Sequence, residues 1–474
     1  MTVTRFRGLG LLLASSAILS ACASVPDLGV RPEIRAATEI ASIQSLRDQS
    51  AGWPVQGWWK AYGDSQLDQL IAEAIAGSPD LKAAAARLRT AQGYAQQAGA
   101  TLLPSIDATG SVGVVQQSEN NGVPPAFVPN GWQNSGKLGL GVSFDLDLWG
   151  RSRAALAAVK KEAEATGFEL EEAQLVLTTS IAAAYADLAS LHARHEVLTA
   201  TLTNRKETLR LVAGRTKVGL DNEAALKQAQ SRVPAARAEL AATDEAIALT
   251  RNAIAALTGA GPDRALAITR PAVALNGVRG VPADASIDLI GRRPDIAAAR
   301  AGVEASASRI KVARASFYPD VSLSGLIGLQ SLGLGNLLTR GSTFGNVGPA
   351  VSLPVFHGGA LVGQYRGARG QYDEAVARYD GTVVQALREV ADALVSRNSL
   401  VIRLDESRQA LRDAEAAYAL ARTRYKRGLS SYLDVLSAEE NVLQARSSVA
   451  QLEARAFTLD IVMIRSLGGG FVRT

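Results

Sequence analysis

Few side chains in this sequence are spaced so that they could act together in chemistry. His192 and His195 lie about one helical turn apart, a spacing that can present two imidazoles to one metal ion. His195, however, falls on an apolar helical seam at a position that a duplicated segment fills with Leu404, and this placement favours packing over metal binding. Asp145 and Asp147 share the polar face of a predicted strand, where we expect solvated carboxylates rather than a catalytic pair.

Composition and motifs give no further sign of catalysis. The third histidine, His357, precedes two glycines and is interpreted as a turn residue, and no nucleophile motif or phosphate-binding loop is present. A single cysteine excludes intrachain disulfides and multi-thiolate metal sites. The formal charge of +5 is small for 474 residues, and the charged side chains are interspersed. We therefore predict a protein that is not an enzyme and has no cofactor, no metal site and no nucleic-acid partner.

The N-terminus has the organisation of a secretory signal peptide. Arg5 and Arg7 precede an apolar run over residues 9–19, and small residues follow this run up to Cys22. The alternative is a single membrane anchor helix, which needs about 20 apolar residues and is therefore longer than this run. We expect residues 1–21 to be removed as a lipoprotein signal peptide.

The residues around the predicted cleavage site resemble the bacterial lipobox. The order Leu19-Ser20-Ala21-Cys22 carries this resemblance, and Cys22 is the only cysteine in the chain. The resemblance implies cleavage before Cys22 and acylation of its thiol and its new amino group. Acyl chains contribute about 0.8 kcal/mol per buried methylene, so several chains would anchor the protein to a bilayer surface. Ala23 is not the acidic retention signal, which in this resemblance implies the outer membrane.

The sequence contains an internal duplication. One offset aligns the segment around Pro79 with that around Pro294, and a slightly shorter offset aligns the segments around Gly219 and Gly428. The matched segments are Ser78-Pro79-Asp80-Leu81 with Arg293-Pro294-Asp295-Ile296, and Arg215-Thr216-Lys217-Val218-Gly219-Leu220 with Arg424-Tyr425-Lys426-Arg427-Gly428-Leu429. We assign residues 78–258 to a first repeat and residues 293–466 to a second. Each repeat has the predicted order helix, strand, strand, long helix, helix.

Each repeat contains two segments that alternate between apolar and polar residues with the period of a strand. The predicted strands span about 104–116, 137–148, 319–330 and 347–356. Segments of about 10 to 12 residues are long enough to cross a bilayer at a tilt. A half-buried sheet in a soluble domain is the alternative. Four strands leave open sheet edges, which lipid does not tolerate, so several chains would have to pool their strands.

Long helices with a heptad seam follow the strands. They are predicted over 150–217, 222–258, 359–426 and 432–466. The two longest, which contain no proline, could each reach roughly 100 Å at 1.5 Å per residue, the scale of a tube that crosses the periplasm. Pro234 lies off the seam and should kink its helix, whereas the second copy has Leu443 at this position. An intracellular coiled coil is the alternative, but it does not account for the strands.

Motifs along nearly the whole mature chain resemble the TolC-like outer-membrane efflux family, in its lipoprotein (NodT-like) branch. The motifs that carry the resemblance are Trp58-Trp59-Lys60-Ala61-Tyr62 followed by Asp64 and Leu67, Leu146-Asp147-Leu148-Trp149-Gly150-Arg151, Arg293-Pro294-Asp295-Ile296, and Tyr425-Lys426-Arg427-Gly428-Leu429. The sequence departs from the family pattern at Ser78, which is usually asparagine, and at Arg300, which is usually glutamate. These departures concern local contacts and not the fold.

The resemblance implies a mainly α-helical fold with a membrane β-barrel part. In a homotrimer, each chain would give four strands to a twelve-stranded β-barrel and its coiled-coil hairpins to a periplasmic α-barrel. A lipid-anchored and equatorial segment over 22–77, an equatorial linker over 259–292 and a C-terminal tail over 467–474 complete the implied organisation. The implied location is the outer membrane of a Gram-negative bacterium. The implied partners are a periplasmic adaptor (membrane fusion) protein and an inner-membrane transporter of the resistance-nodulation-division type.

The ends of the helical hairpins contain the implied functional residues. Glycine tolerates the left-handed backbone that ends a helix, so turns are predicted at Val218-Gly219-Leu220 and at Arg427-Gly428-Leu429. The first turn resembles the family's tip to which adaptor hairpins dock, and the second is its counterpart in the repeat. The family motif implies a closed periplasmic gate at Asp434 and Tyr425, with Ser437 in place of a second aspartate. A solvated helix-surface aspartate is the alternative for Asp434.

These observations predict the passive exit duct of a tripartite efflux pump, which conducts small molecules such as drugs and toxic compounds to the exterior. Two alternatives stay open. One is the outer-membrane channel of a type I protein secretion system. The other is a structural periplasmic lipoprotein with a coiled-coil body, which would show no conductance in planar bilayers.

Overall fold

The computed structural model describes residues 25–36, 39–46, 51–120, 122–273 and 277–473. Its main helices are α1 (Ser65–Gly77), α2 (Pro79–Ala100), α3 (Arg151–Lys217), α4 (Glu223–Leu257), α5 (Asp263–Leu266), α6 (Ala285–Arg292), α7 (Pro294–Ala315), α8 (Ala360–Lys426) and α9 (Tyr432–Ser466). Its strands are β1 (Ser105–Val115), β2 (Gln133–Asp145), β3 (Asp320–Leu332) and β4 (Thr343–Ser352). The predicted signal peptide and Cys22 lie outside the described residues.

The duplicated order of elements predicted from the sequence is present in the fold. The first copy runs α2-β1-β2-α3-α4, and the second runs α7-β3-β4-α8-α9. Helices α3 and α8 have 67 residues each, and α4 and α9 have 35 residues each. Helix α4 begins at Glu223, where the side chain of Asn222 caps it. The helix continues through Pro234. The equal lengths identify the two halves as copies of one structural unit.

Strand β2 ends at Asp145, earlier than the predicted end at residue 148. Asp147 adopts φ 43°, a left-handed conformation that a strand cannot accommodate. Its carboxylate accepts hydrogen bonds from the backbone N–H groups of Ser152 (2.8 Å) and Arg153 (3.0 Å). Asp147 therefore stabilises the start of α3, and the expectation that it belongs to a strand face was wrong.

Strand β4 spans Thr343–Ser352 instead of the predicted 347–356. It ends at Ser352, two residues before Pro354, although it continues through Pro349. It starts earlier because Thr343 still pairs with Leu329 near the end of β3. The number and order of the strands match the sequence prediction, and the boundaries differ by a few residues.

The four strands form one antiparallel sheet in the order β1-β2-β3-β4. Strands β2 and β3 pair with each other, so both copies contribute to a single sheet. Every residue of β1 is exposed, and the apolar side chains of Ile106, Val112 and Val347 are each at least 70% exposed. Among the described residues, β1 and β4 have no further partner strand. Within one chain the sheet therefore has two open edges and an uncovered apolar surface.

Contacts between residues divide the chain into two compact units that cut across the repeats. The first unit contains Met1–Ile34, Leu88–Thr166 and Ala299–Tyr379, and the second contains Arg35–Arg87, Gly167–Ala298 and Asp380–Thr474. All four strands belong to the first unit. Each copy contributes to both units, so neither unit corresponds to a single repeat.

In the first unit, the described N-terminal segment lies along α8. The Arg369 guanidinium donates a hydrogen bond to the carbonyl oxygen of Gly29 at 3.2 Å, and the Tyr372 hydroxyl donates to that of Pro32 at 3.1 Å. Both acceptors are backbone atoms, so these two side chains hold the path of the segment independently of its own side chains. The segment from Gly29 to Pro32 is thus held in the unit that contains the strands.

In the second unit, two buried aspartates connect segments that are far apart in the sequence. Asp64 caps α1 and also accepts hydrogen bonds from the Tyr185 hydroxyl and the Ala272 backbone N–H, both at 2.7 Å. Asp460 accepts from the Tyr62 hydroxyl at 2.7 Å.

The Arg279 backbone N–H also donates to Asp460, at 2.8 Å. The two carboxylates therefore connect the N-terminal segment, the linker between the repeats and a long helix of each copy.

We expect a partly buried carboxyl group, that of Glu172, to make the stability of this second unit sensitive to pH. Burial raises the pKa of Glu172 on α3 to about 7, and the nearby carboxylate of Asp295 adds to this effect. Arg293 and Arg465 act in the opposite direction. Arg293 itself is paired with Asp295 at 2.6 Å and with Glu389 at 2.8 Å, so it only partly offsets the cost of burying a further negative charge.

We expect Glu172→Gln to raise the thermal stability at pH 8 and to leave it nearly unchanged at pH 4.5. The folded-state pKa is raised, so stability is lost as pH rises from the ordinary value of 4.5 through about 7. Glutamine does not ionise, and the gain at pH 8 should be about 1–2 kcal/mol. Melting curves at the two pH values measure it, with Glu171→Gln on the exposed neighbour as control. A variant that is less stable than wild type at both pH values would contradict the assignment.

Candidate functional site

The two hairpin turns lie where the glycine positions predict them. Gly219 (φ 75°) follows α3 and Gly428 (φ 74°) follows α8, both in the left-handed region. The N–H of Leu220 donates to the carbonyl of Arg215, and that of Leu429 donates to its counterpart in the second copy, both at 2.9 Å. This pattern satisfies the last carbonyl groups of a helix and requires the positive φ that glycine adopts without strain. A Cβ atom at either glycine would meet no atom within 4 Å, so the backbone angle sets the requirement.

Apolar side chains stand out from both turns. Val218, Leu220 and Leu429 are each more than 60% exposed. Arg427 and Lys217, which flank them, are exposed as well. Exposed apolar side chains grouped with basic ones at the end of a rigid element form a surface suited to contact with another protein.

A polar cluster holds the two turns together. The Arg215 Nε atom lies 2.9 Å from an oxygen of Asp221, and the Tyr425 hydroxyl donates a short hydrogen bond to the same oxygen. The Arg215 guanidinium also lies 4.6 Å from the centre of the Tyr425 ring and donates to the Tyr425 carbonyl at 3.3 Å. Burial, reinforced by the hydrogen bond to Asp221, raises the pKa of Tyr425. Three side chains from both copies thus form one closed set of contacts.

An apolar cluster lies beside these polar contacts. It contains the buried residues Val212, Ala229, Tyr425, Tyr432 and Val435. These residues come from α3, α4, α8 and α9, so all four long helices pack together near the turns. Burial raises the pKa of Tyr432 to about 12, which keeps this hydroxyl neutral at any physiological pH.

The structure gives Asp434 a local role at the start of α9. Its carboxylate accepts hydrogen bonds from the Ser431 backbone N–H at 2.9 Å and from the Ser431 hydroxyl at 3.0 Å. Ser431 in turn caps the helix, so the two residues form a reciprocal capping box. Asn222 caps the corresponding helix of the first copy by accepting from the N–H of Ala225, the counterpart of Asp434. The Asp434 side chain is exposed, so its charge is also free to act on a solvent-filled space.

The contacts of Tyr425 include two residues that sequence reasoning did not assign to the gate. Arg215 belongs to the repeated motif, and Asp221 belongs to none of the motifs in the sequence. A signal for Asp221 was nevertheless present, because its counterpart in the second copy is Ser430. Asp221 therefore makes a charged contact that the second copy does not repeat.

The candidate chemical residues other than His192 have structural partners, whereas the buried Nε2 atom of His192 has no hydrogen-bond partner. The His195 Nε2 atom lies 3.2 Å from an Asp244 oxygen, and burial lowers the pKa of His192. The described residues contain no group of three or more His, Cys, Asp or Glu side chains that could hold a metal ion. Asp145 lies 3.4 Å from Arg151, and His357 accepts a backbone hydrogen bond at the turn that precedes α8.

Known proteins resemble this chain over nearly its full length. A family model described as "Outer membrane efflux protein" matches residues 70–260 and 287–469. The fusaric acid resistance protein FusA of Burkholderia cepacia is 36% identical over 74% of this chain and 67% of its own length. The multidrug resistance outer membrane protein MdtP of Escherichia coli K12 is 30% identical over 97% of this chain and 96% of its own length.

Solved structures agree with these matches. The outer membrane protein VceC of Vibrio cholerae superposes with a TM-score of 0.84 at 43% identity, over 88% of this chain and all of that one. The outer-membrane channel OprN gives the same TM-score at 28% identity, over 94% of this chain and 99% of its own. The resemblance drawn from the motifs is therefore confirmed, and so is the predicted fold class. This chain belongs to the outer membrane efflux protein family.

Proposed function

We propose that this chain is the outer-membrane exit duct of a tripartite efflux pump and works as a homotrimer. The observation that carries the proposal is the four-stranded sheet with two open edges and exposed apolar side chains. In lipid, unpaired backbone groups at a sheet edge cost several kcal/mol each, so the edges must be paired. Three copies would bring twelve strands together, which is enough to enclose a lumen. The long hairpins would continue that lumen as an α-helical barrel into the periplasm.

The exposed turns are the proposed docking surface for a periplasmic adaptor. Val218, Gly219 and Leu220 form one turn, and Arg427, Gly428 and Leu429 form the other. A resistance-nodulation-division transporter in the inner membrane would supply the energy, since the duct itself is passive. The names of FusA and MdtP, which refer to fusaric acid resistance and to multidrug resistance, favour efflux over type I protein secretion. A purely structural lipoprotein would not need the sheet.

Complementation of a deletion strain tests both export and docking. Loss of the gene should lower the minimal inhibitory concentrations of drugs and detergents, and wild type should restore them. Gly219→Glu should fail to restore them, because it adds a charge to the docking turn. Gly131→Glu is the matched control, since Gly131 has the same φ of 75° and equally open surroundings outside the hairpin turns, so both changes cost about 1–2 kcal/mol of backbone strain.

Trimers of Gly219→Glu should still assemble, and only their cross-linking to the adaptor should be lost. Full drug resistance with undiminished cross-linking in Gly219→Glu would locate the docking surface elsewhere. Unchanged susceptibility of the deletion strain, with no other duct present, would argue against an efflux role altogether.

Asp434 and Tyr425 are the proposed gate residues. In a trimer, three exposed Asp434 carboxylates would surround the axis, where like charges hold cations and favour their passage. Ser437 contributes no charge at the position of the family's second aspartate, so this ring should be weaker than one with both. The Tyr425 hydrogen bond to Asp221 would keep the hairpins in their closed arrangement.

Single-channel recordings should separate the charge of Asp434 from its capping role. Asp434→Asn and Ser431→Ala each weaken the capping box, at a cost of about 0.5–1 kcal/mol. Only Asp434→Asn removes the charge, so it alone should lower cation preference and block by multivalent cations. Tyr425→Phe, which loses the bond to Asp221, should raise the conductance. Identical cation preference in Asp434→Asn and wild type would remove Asp434 from the gate.

Cys22 is the proposed lipidation site. It is the only cysteine of the chain and lies at the position that a lipobox requires. The segment that follows it is held against α8 in the unit that contains the strands, which supports an anchor in the same membrane as the strands. Labelling with radioactive palmitate should mark wild type and leave Cys22→Ala unmarked. Ser20→Ala is the control and should be labelled normally, whereas a labelled Cys22→Ala protein would refute the assignment.

A further inference from the structure

A buried ion pair connects the two copies away from the hairpin turns. Arg205 on α3 is 7% exposed and Glu439 on α9 is 6% exposed. The Arg205 Nε and Glu439 Oε1 atoms are 3.8 Å apart, and neither atom has a hydrogen-bond partner. Burial raises the pKa of Glu439, with Arg205 acting against this. The attraction between the two charges therefore only partly offsets the cost of removing them from water.

A second ion pair lies next to the first. Arg232 on α4 lies 2.9 Å from an oxygen of Glu440 on α9, and both side chains are exposed. Arg205 also donates a hydrogen bond of 3.4 Å to the carbonyl of Arg232. The two pairs thus connect α3 and α4 of the first copy to α9 of the second. We call these four residues the clasp.

The charges of the clasp are not shared by the two copies of the repeat. Aligning the copies at Gly219 and Gly428 gives the counterpart of each clasp residue. These counterparts are Ala414 for Arg205, Asn441 for Arg232, Gln230 for Glu439 and Ser231 for Glu440. The first copy supplies both arginines and the second supplies both glutamates, so the duplicated scaffold does not need these charges.

The clasp is a second set of contacts between the hairpins, at a distance from the turns. At 1.5 Å per residue, Arg205 lies roughly 18 Å before the end of α3 at Lys217, and Glu439 lies roughly 10 Å after the start of α9 at Tyr432. The cluster of Arg215, Asp221 and Tyr425 holds the hairpins at the turns, and the clasp holds them further along. The clasp contacts α9 and the turn cluster contacts α8, so separation of both helices from the first copy would break both sets of contacts.

We propose that the clasp is a labile lock, which keeps α9 against the first copy in the closed duct and releases when the hairpins part. Arg205 and Glu439 are positioning residues of the gate. When the pair is buried, the attraction between its charges only partly offsets the cost of removing them from water. Both charges become hydrated when the helices separate, so the closed and open arrangements stay close in free energy. This inference rests on the proposed duct function.

Single and double variants of the buried pair should change the open fraction in different directions. Glu439→Gln leaves the Arg205 charge buried without a counter-charge, so the closed arrangement should weaken and the open fraction should rise on the order of tenfold. Arg205→Met with Glu439→Met removes both buried charges, so the closed arrangement should be at least as favourable as in wild type. Its open fraction should equal or fall below that of wild type.

Single-channel recordings of purified trimers in planar bilayers measure the open fraction. The matched control is Glu415→Gln, which breaks a pair with Arg446 at 2.6 Å that lies within the second copy and should leave the open fraction unchanged. If Glu439→Gln does not assemble, Glu440→Gln at the exposed pair should still raise the open fraction by roughly twofold.

Each outcome decides between the alternatives. A double variant with an open fraction as high as that of Glu439→Gln would overturn the clasp. In that case, the loss of pairing would not be what raises the open fraction of the single variant. A Glu439→Gln or Glu440→Gln trimer that conducts like wild type, while Tyr425→Phe opens, would overturn the clasp and leave the duct intact. Trimers that never conduct, wild type and every variant alike, would instead overturn the proposed function.

Discussion

The open edges of the four-stranded sheet are the constraint on which the rest of the structure depends. A bilayer core offers no water to satisfy backbone N–H and C=O groups, so a sheet in lipid must close on itself. Strands β1 and β4 provide two edges and no closure within the described chain. If the sheet lies in lipid, as proposed, association of several chains is a requirement of the backbone rather than of any particular side chain. Because β2 pairs with β3, the duplication also builds a single sheet instead of two small ones, which leaves two edges where separate sheets would leave four.

A few buried polar groups determine how the helices of the second unit pack against each other. Apolar seams at heptad spacing bring helices together but leave their axial and rotational positions loosely defined. Asp64 and Asp460 define them more sharply, because each carboxylate accepts hydrogen bonds from at least two separate segments. A buried carboxylate that loses these donors costs more than the bonds contribute, so the arrangement tolerates little displacement.

Periodicity allowed most of the fold to be predicted from the sequence. Alternation identified the four strands, heptads identified the long helices, and Gly219 and Gly428 identified the turns. The errors occurred where a local contact overrides periodicity, as at Asp147, whose side chain caps α3 while its backbone leaves the strand. The Arg205 and Glu439 pair and the Tyr425 bond to Asp221 were not predictable, because they depend on how two helices are rotated against each other. A single sequence gives the apolar face of a helix but not which polar residues of two helices meet.

The two copies of the repeat provide part of the missing information about which polar residues meet. Positions that both copies share, such as the seams and the turn glycines, serve packing that a duplicated scaffold needs twice. Asp221 and the four clasp residues carry a charge in one copy only, so their contacts are not repeated in the other copy. These contacts join the first copy to the second. In the proposed duct, these contacts distinguish the two hairpins of each chain, because the first supplies both arginines of the clasp and the second supplies both glutamates.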